Sequence, residues 1–389
     1  MKKIVSIILS TTILMLIAIY PVSAELKVGY KDYDDGHKYE YKYEDIGDFR
    51  YIYEEESTYV KVLYKKPSSK QEIKRIEFPE EHKGKQVSEI GFTDYYYDPT
   101  ADNLKVDTVY IPKNIKDFWV CCVQNPEADE PDRLISLRNI EVDKNNPYIC
   151  SKDGVLYSKD MKEMKLYPDR NSMTVYKMPN SVKETHDFSK RNNIKKLYLS
   201  DNLKYIDYGF AANCKNLEYV YIGTNTKMIG SGCYGAFEGD KKLKIVKINS
   251  KRLKSIGDLS FSSCSNLKKI NIPSTVKTIG EGAFWGCKSL KKITLPKNLK
   301  SIGFSAFADC KKLSKVVIKN KNKAPKIAKV KGIPEPYSDE SAFSNTKKGI
   351  KFYVKNKKVA KSLKKQLKGS GVRNAKILIG KKVVYKNVK

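Results

Sequence analysis

The order of apolar and polar positions repeats along this chain. Residues 267–287, LKKINIPSTVKTIGEGAFWGC, and 290–310, LKKITLPKNLKSIGFSAFADC, agree at Leu, Ile, Ile/Leu, Pro, Val/Leu, Ile, Gly, Ala, Phe and Cys. Leu267 to Leu290 is 23 residues, Leu290 to Leu313 is 23, and Cys264, Cys287 and Cys310 keep the same step. A unit of this length cannot bury its apolar face alone, so copies must stack as a solenoid. The segment L-x-x-I-x-I-P alternates as a strand does, and stacked copies of it build a parallel sheet. The expected fold class is α/β, mainly β: a repeat solenoid with a parallel sheet on one face, an N-terminal β cap and a C-terminal helix-plus-hairpin cap.

The period extends outward from these copies. Ile194 to Leu217 is 23 residues, Leu217 to Leu243 is 26, with the excess in residues 231–235, and Leu243 to Leu267 is 24. Upstream, the grammar is degraded but ordered in Ile73, Ile76, Phe78, Pro79, Val87, Ile90 and Gly91, and again in residues 106–118. Pro, Asp and Tyr interrupt it at 94–102 and 124–132, which predicts extruded loops. Turn signals at Lys152-Asp153-Gly154 and Ser158-Lys159-Asp160, set between alternating apolar runs, predict a β-hairpin insertion near 143–168. Beyond Leu313 the period breaks at Pro325, Pro334 and Pro336, and Ala342-Phe343 closes that coil.

Both ends have a different texture. Tyr39, Tyr41, Tyr43, Tyr51 and Tyr53 alternate with other residues at period two, which predicts short strands covering the open end of the first coil. At the other end Val359, Ala360, Leu363 and Leu367 share a helical face with Gly369 as the stop. Ile377-Leu378-Ile379 and Val383-Val384-Tyr385 flank Gly380-Lys381 as a hairpin. The expected division is therefore 1–24, a leader; 25–70, the N-terminal β cap; 71–355, the solenoid; and 356–389, a basic C-terminal cap.

Composition adds a compartment and a charge. Lys2 and Lys3, an apolar run and Val22-Ser23-Ala24 form a secretory signal pattern, with cleavage expected before Glu25 and no membrane span in the remaining chain. Net charge is +31, or +29 without Lys2 and Lys3. Residues 25–56 carry 5 Lys/Arg against 11 Asp/Glu, net −6, whereas 321–389 carry 21 against 3, net +18. A field of this kind attracts polyanions. Outside a cell these are anionic wall polymers, acidic glycans or charged surfaces; nucleic acid is not expected.

The eight cysteines do not read as a disulfide framework. Cys214, Cys264, Cys287 and Cys310 share one repeat position after a Phe, the mark of a small buried side chain. An exported chain leaves disulfides open at Cys121, Cys122 and Cys233. No C-x-x-C pair occurs and the three histidines, His37, His82 and His186, are scattered, so neither metal nor cofactor is expected. Motif searches for metalloprotease, serine hydrolase and phosphate-loop patterns fail. Cys121 or Cys150 with His186 is the only conceivable nucleophile–base pair, and nothing around it recommends catalysis.

The pattern resembles the BspA-type leucine-rich repeats of bacterial exported surface proteins. The resemblance rests on the 267–310 copies, on Gly84-Lys85-Gln86-Val87, and on Asn145-Asn146-Pro147 with Asp153-Gly154-Val155-Leu156-Tyr157. It covers residues 73–355 and implies a non-catalytic, adhesin-like binding protein. With Leu267, Ile270 and Ile272 inward, the outward residues of successive strands form a ladder. Its rungs are Lys196 and Tyr198; Tyr219 and Tyr221; Ile245 and Lys247; Lys269 and Asn271; Lys292 and Thr294; Lys315 and Val317. Tyrosine supplies area and a hydroxyl, lysine supplies charge, and together they suit a protein or an acidic polysaccharide at a cell surface. The alternative is retention on an anionic wall polymer through the basic C-terminal region.

Overall fold

The computed structural model describes residues 27–32, 38–53, 59–65, 72–93, 104–120, 122–123, 132–133, 135–186, 188–230, 234–328, 341–368 and 372–388. The expected leader, the loop at 94–102, most of 124–132, Pro334, Pro336, Cys121, Cys233 and Gly369 lie outside them.

The fold is the mainly β solenoid anticipated above, with a helix near the C-terminus. Its first face is parallel. Val175–Lys177, Lys196–Tyr198, Tyr219–Ile222, Ile245–Ile248 and Lys269–Ile270 follow one another in one sheet. Lys292–Leu295, Lys315–Ile318, Lys351–Val354 and Ala375–Ile379 follow in another, closed by the antiparallel strand Lys382–Val388. A second face carries two-residue strands, Tyr205–Ile206, Met228–Ile229, Ser255–Ile256, Thr278–Ile279, Ser301–Ile302 and Lys326–Ile327, all parallel. A third side is made of turns that also bond coil to coil, for instance Phe261 N–H to the Ala283 carbonyl and Phe284 N–H to the Ala306 carbonyl, both 2.9 Å.

The repeat letters now have physical jobs. Phe237, Phe261, Phe284, Phe307 and Phe343 stack with centroids 5.3–5.6 Å apart and interplanar angles of 3–9°. Each cysteine thiol donates to the carbonyl of a phenylalanine on the preceding coil: Cys264 to Phe237, Cys287 to Phe261 and Cys310 to Phe284, at 3.0, 3.3 and 3.2 Å. These thiols are buried and free, and burial pushes those of Cys264 and Cys287 far above the ordinary thiol range. The repeated glycine reflects crowding, since a Cβ on Gly303 would sit 2.5 Å from the Gly280 carbonyl carbon.

The N-terminal strands form a four-stranded antiparallel meander: Lys27–Asp32, Lys38–Ile46, Phe49–Tyr53 and Tyr59–Lys65. The last of these runs parallel to Lys85–Thr93. Tyr51 and Val62 thereby enter one core cluster with Ile76, Phe78, Val87 and Ile90.

The hairpin Ile149–Lys152 and Val155–Ser158 turns at Asp153 and Gly154, both with positive φ. Its position is set by Asn146, which is fully buried. Asn146 donates to the Pro112 and Ile115 carbonyls and accepts from the Tyr148 and Ile149 amides, at 2.8–3.0 Å. The next strand, Glu163–Leu166, pairs in parallel with Glu184–Thr185, so it belongs to the coil wall. Leu156 faces the N-terminal core and Tyr157 the main one, so the hairpin joins the two.

At the far end the helix Lys357–Leu367 is capped by Asn356 and buries Val359, Ala360, Leu363 and Leu367. Gln366 on it holds the irregular coil, donating to the Pro325 carbonyl and accepting from the Ile327 amide.

Candidate binding surface

On the first sheet, Lys196, Leu197 and Tyr198 register with Tyr219, Val220 and Tyr221, and these with Ile245, Val246 and Lys247. The middle residue of each triplet is buried, so the flanking pair is turned outward, as a pleated strand requires. Tyr198 therefore sits 5.4 Å from Tyr219 and 6.2 Å from Tyr221, ring centre to ring centre. Lys177 approaches the Tyr198 ring at 6.0 Å and Lys247 the Tyr221 ring at 5.9 Å. These are cation–π distances, which hold the ammonium groups at the rim of the aromatic patch. Val175 and Ile245, 42% and 40% exposed, extend its apolar area.

Polar contacts fix the central ring. The Tyr221 hydroxyl donates to Asp201 at 3.3 Å and accepts from the Asn249 amide at 3.1 Å. Partial burial pushes the Tyr219 and Tyr221 hydroxyls above the ordinary tyrosine range, with smaller contributions from neighbouring groups. Both rings are neutral at physiological pH and offer a hydroxyl without charge.

The ladder does not continue evenly. Lys269 pairs with Ile245, but the strand ends after Ile270. The reason is Asn271: its side-chain oxygen accepts from the Ile248 N–H at 2.9 Å and its NH2 donates to the Ile248 carbonyl at 2.7 Å. The amide replaces a backbone rung, so Asn271 is engaged within the stack, and Ile272, expected inward, is only half-buried. Lys292 and Thr294 pair with Lys315 and Val317 in the next sheet. There Lys315 lies 4.4 Å from the Tyr353 ring centre. The expected ladder thus divides into a tyrosine-rich half, with Lys196, Tyr198, Tyr219, Tyr221 and Lys247, and a lysine-rich half, with Lys292, Thr294 and Lys315.

Sequence reasoning missed Lys177, Val175, Asn249 and Tyr353 on this face. Tyr353 was legible in part, because KFYV repeats the strand alternation of the earlier coils.

The residues weighed for catalysis have other occupations. The Cys150 thiol donates to the Ser158 carbonyl, and burial raises its pKa. His186 is exposed and bonds Glu163 at 2.7 Å. Among the described residues no group of three or more His, Cys, Asp or Glu is placed to hold a metal ion, and no helix is long and apolar enough to cross a membrane.

Residues 165–236 and 234–328 match the BspA type Leucine rich repeat region, in six copies. The coils within residues 165–328 are BspA-type leucine-rich repeats. Among solved structures, a leucine-rich repeat protein from Eubacterium ventriosum is 17% identical, covering 76% of this chain and 97% of that one, with a TM-score of 0.47. The pneumococcal vaccine antigen PcpA is 18% identical over 87% of this chain and 99% of its own, with a TM-score of 0.42. A leucine rich cell surface protein from Faecalibacterium prausnitzii is 17% identical over 78% and 94%, with a TM-score of 0.34. No curated protein matches by sequence. Proteins built on BspA-type repeats are generally non-catalytic and typically bacterial and secreted or surface-located, which points to repeat-based binding.

Proposed function

We propose that the protein is exported through residues 1–24 and acts as an adhesin-like binding protein whose Tyr198–Tyr219–Tyr221 patch seats a protein partner. The observation that carries this reading is the contiguity of three partly exposed tyrosines with cations at their rim. Tyrosine and cationic side chains are what protein partners use as anchors, because they bury large area at low conformational cost. Binding of the chain lacking residues 1–24 to a panel of bacterial cells and matrix proteins tests it. Tyr219→Ala with Lys247→Glu should weaken the strongest interaction by about tenfold or more. Unchanged affinity in that double variant would remove the patch from consideration.

Retention by the basic C-terminal region is a second reading, supported by the helix Lys357–Leu367, whose apolar face is buried while Lys357, Lys358, Lys361, Lys364 and Lys365 are exposed. Under it, high salt releases the protein from cells by screening. Retention that is indifferent to salt excludes it.

A further inference from the structure

A second row of cations runs along the solenoid, away from the tyrosines. Lys204, Lys227, Lys254, Lys277 and Lys300 occupy the same place in five successive coils, immediately before the two-residue strands of the second face. Their backbones bond one to the next: Lys227 N–H to the Lys204 carbonyl, Lys254 to Lys227, Lys277 to Lys254 and Lys300 to Lys277, at 2.7–2.8 Å. Lys326 N–H continues the edge onto the Lys300 carbonyl at 2.7 Å. All five side chains are exposed, and among the described residues none is in an ion pair. Coils joined by such bonds are about 4.8 Å apart, so the row spans about 19 Å. The backbone spacing between neighbouring lysines is therefore shorter than the screening length of about 8 Å at physiological salt.

Beside this row runs a groove of about 550 Å³. The lysine side is lined by Ser255, Thr278 and Ser301, in register along the coils, with Thr278 donating to the Ser255 hydroxyl at 2.8 Å. The opposite rim carries Asp258 and Glu281, and partly exposed Phe304 also lines the groove. Asp258 accepts the Glu281 amide at 2.6 Å, while the Glu281 side chain is exposed.

We infer that this groove and its lysine edge bind a linear acidic polysaccharide lying across the coils. The two rims make unlike demands on a ligand. The lysines call for anionic groups repeated along an extended chain, while Asp258 and Glu281 call for hydroxyl donors and repel a chain that is anionic on all sides. Met228 and Ala328 also line the groove and suit the C–H faces of sugar rings, while Gly257, Gly280 and Gly303 leave them room. An acidic polysaccharide meets all three requirements. Inorganic polyphosphate fails the second. Single-stranded nucleic acid needs stacking platforms along its path, and the row meets an aromatic ring at one end, where Lys227 lies 5.9 Å from Tyr205. The site is separate from the tyrosine patch and stands whether or not that patch binds a protein.

The test is a titration of the purified protein with hyaluronate and chondroitin sulfate at several salt concentrations, with dextran and inorganic polyphosphate as controls. Acidic polysaccharide should bind in preference to both controls. The triple variant Lys254→Gln, Lys277→Gln, Lys300→Gln should weaken it at least about tenfold and reduce the salt slope by about one per lysine removed. These side chains are exposed, so an unchanged circular dichroism spectrum and unfolding midpoint are expected alongside the loss. A triple Lys268→Gln, Lys291→Gln, Lys311→Gln variant, at exposed lysines outside both surfaces, should bind as the parent does. Equal losses in the two triples, or polyphosphate binding at least as tight as the polysaccharides, would overturn the proposal, because net charge alone would then account for the binding.

Discussion

The central coils and the N-terminal end reach stability by different means. Between Phe237 and Phe343 the aromatic rings are nearly parallel, and the thiols repeat one hydrogen bond from coil to coil. At the N-terminal end ring geometry varies from pair to pair, with Phe49 and Phe78 tilted at 57° and Tyr51 stacked on His82 at 26°, and the polar contacts are individual. Glu44 accepts from Lys83, His82 and Tyr53, Arg50 meets Asp45, and Arg75 bridges Glu77 and Glu141. A translated contact needs to be solved once and is then copied. An end has nothing to copy, so each buried polar group there needs its own partner.

The strongest way to break the regular region is to interrupt its aromatic column. Phe284→Ala should cost about 3–5 kcal/mol, because both stacked neighbours lose a face and the coil cannot collapse into the gap. Urea unfolding is the measurement, and a loss below about 1 kcal/mol would show that the stack is incidental.

The matching test at the N-terminal end is Glu44→Gln. Burial by itself raises the Glu44 carboxyl, but hydrogen bonds from Lys83, Tyr53 and His82 outweigh it and bring the pKa down to about 2. A carboxyl depressed in the folded state contributes stability above its unfolded value, near 4.5, and loses it as pH falls toward 2. The variant should lose about 2 kcal/mol at neutral pH and show a weaker acid transition. Hydrogen exchange should place the loss in residues 38–53, with the central coils still protected.

A smaller effect, of opposite sign, is expected where the regular region departs from its own rule. Asp240 occupies the cysteine position of its coil, three residues after Phe237. The preceding coil is irregular too: Phe210 comes one place early, Ala211 takes the backbone bond to the Ala236 carbonyl, and Phe210 meets Phe237 at 82°. Asp240 accepts the Cys214 amide at 2.8 Å, so the two departures fit each other. Burial pushes this carboxyl well above its usual range. An acid raised in the folded state is held protonated, and the cost grows as pH rises above 3.8. Asp240→Asn keeps an acceptor and should raise stability at pH 8 by about 1 kcal/mol while changing little at pH 4. Equal effects at both pH values would contradict this account.

Cys287→Ala should have a similarly small effect, a loss of about 1 kcal/mol, leaving the Phe261 carbonyl without its thiol donor. A much larger loss would mean that the cysteines hold the coils together more than the phenylalanines do.

The apolar positions made much of this fold legible. Leu267, Leu290, Phe284 and Cys287 fall in the core because the period puts them there, and the family match covers the same coils. The outward face was legible as a set of residues but not as a surface. Lys196, Tyr198, Tyr219, Tyr221 and Lys247 are brought together, while Asn271 turned out to be spent on the backbone of the previous coil. No local signal marks an asparagine for that use, because its partner lies 23 residues earlier.

The sequence by itself determined the repeat, the sidedness of the strands outside the 269–272 coil, the buried thiols and the charge at the two ends, because these follow from periodicity and composition. Tertiary structure decided which coils stay in register, that the N-terminal meander pairs with Lys85–Thr93, and that the hairpin links two cores. It also brought five distant lysines into one row. Such contacts arise between coils, where small differences in coil length set what meets what, and one coil read alone carries no record of its neighbour.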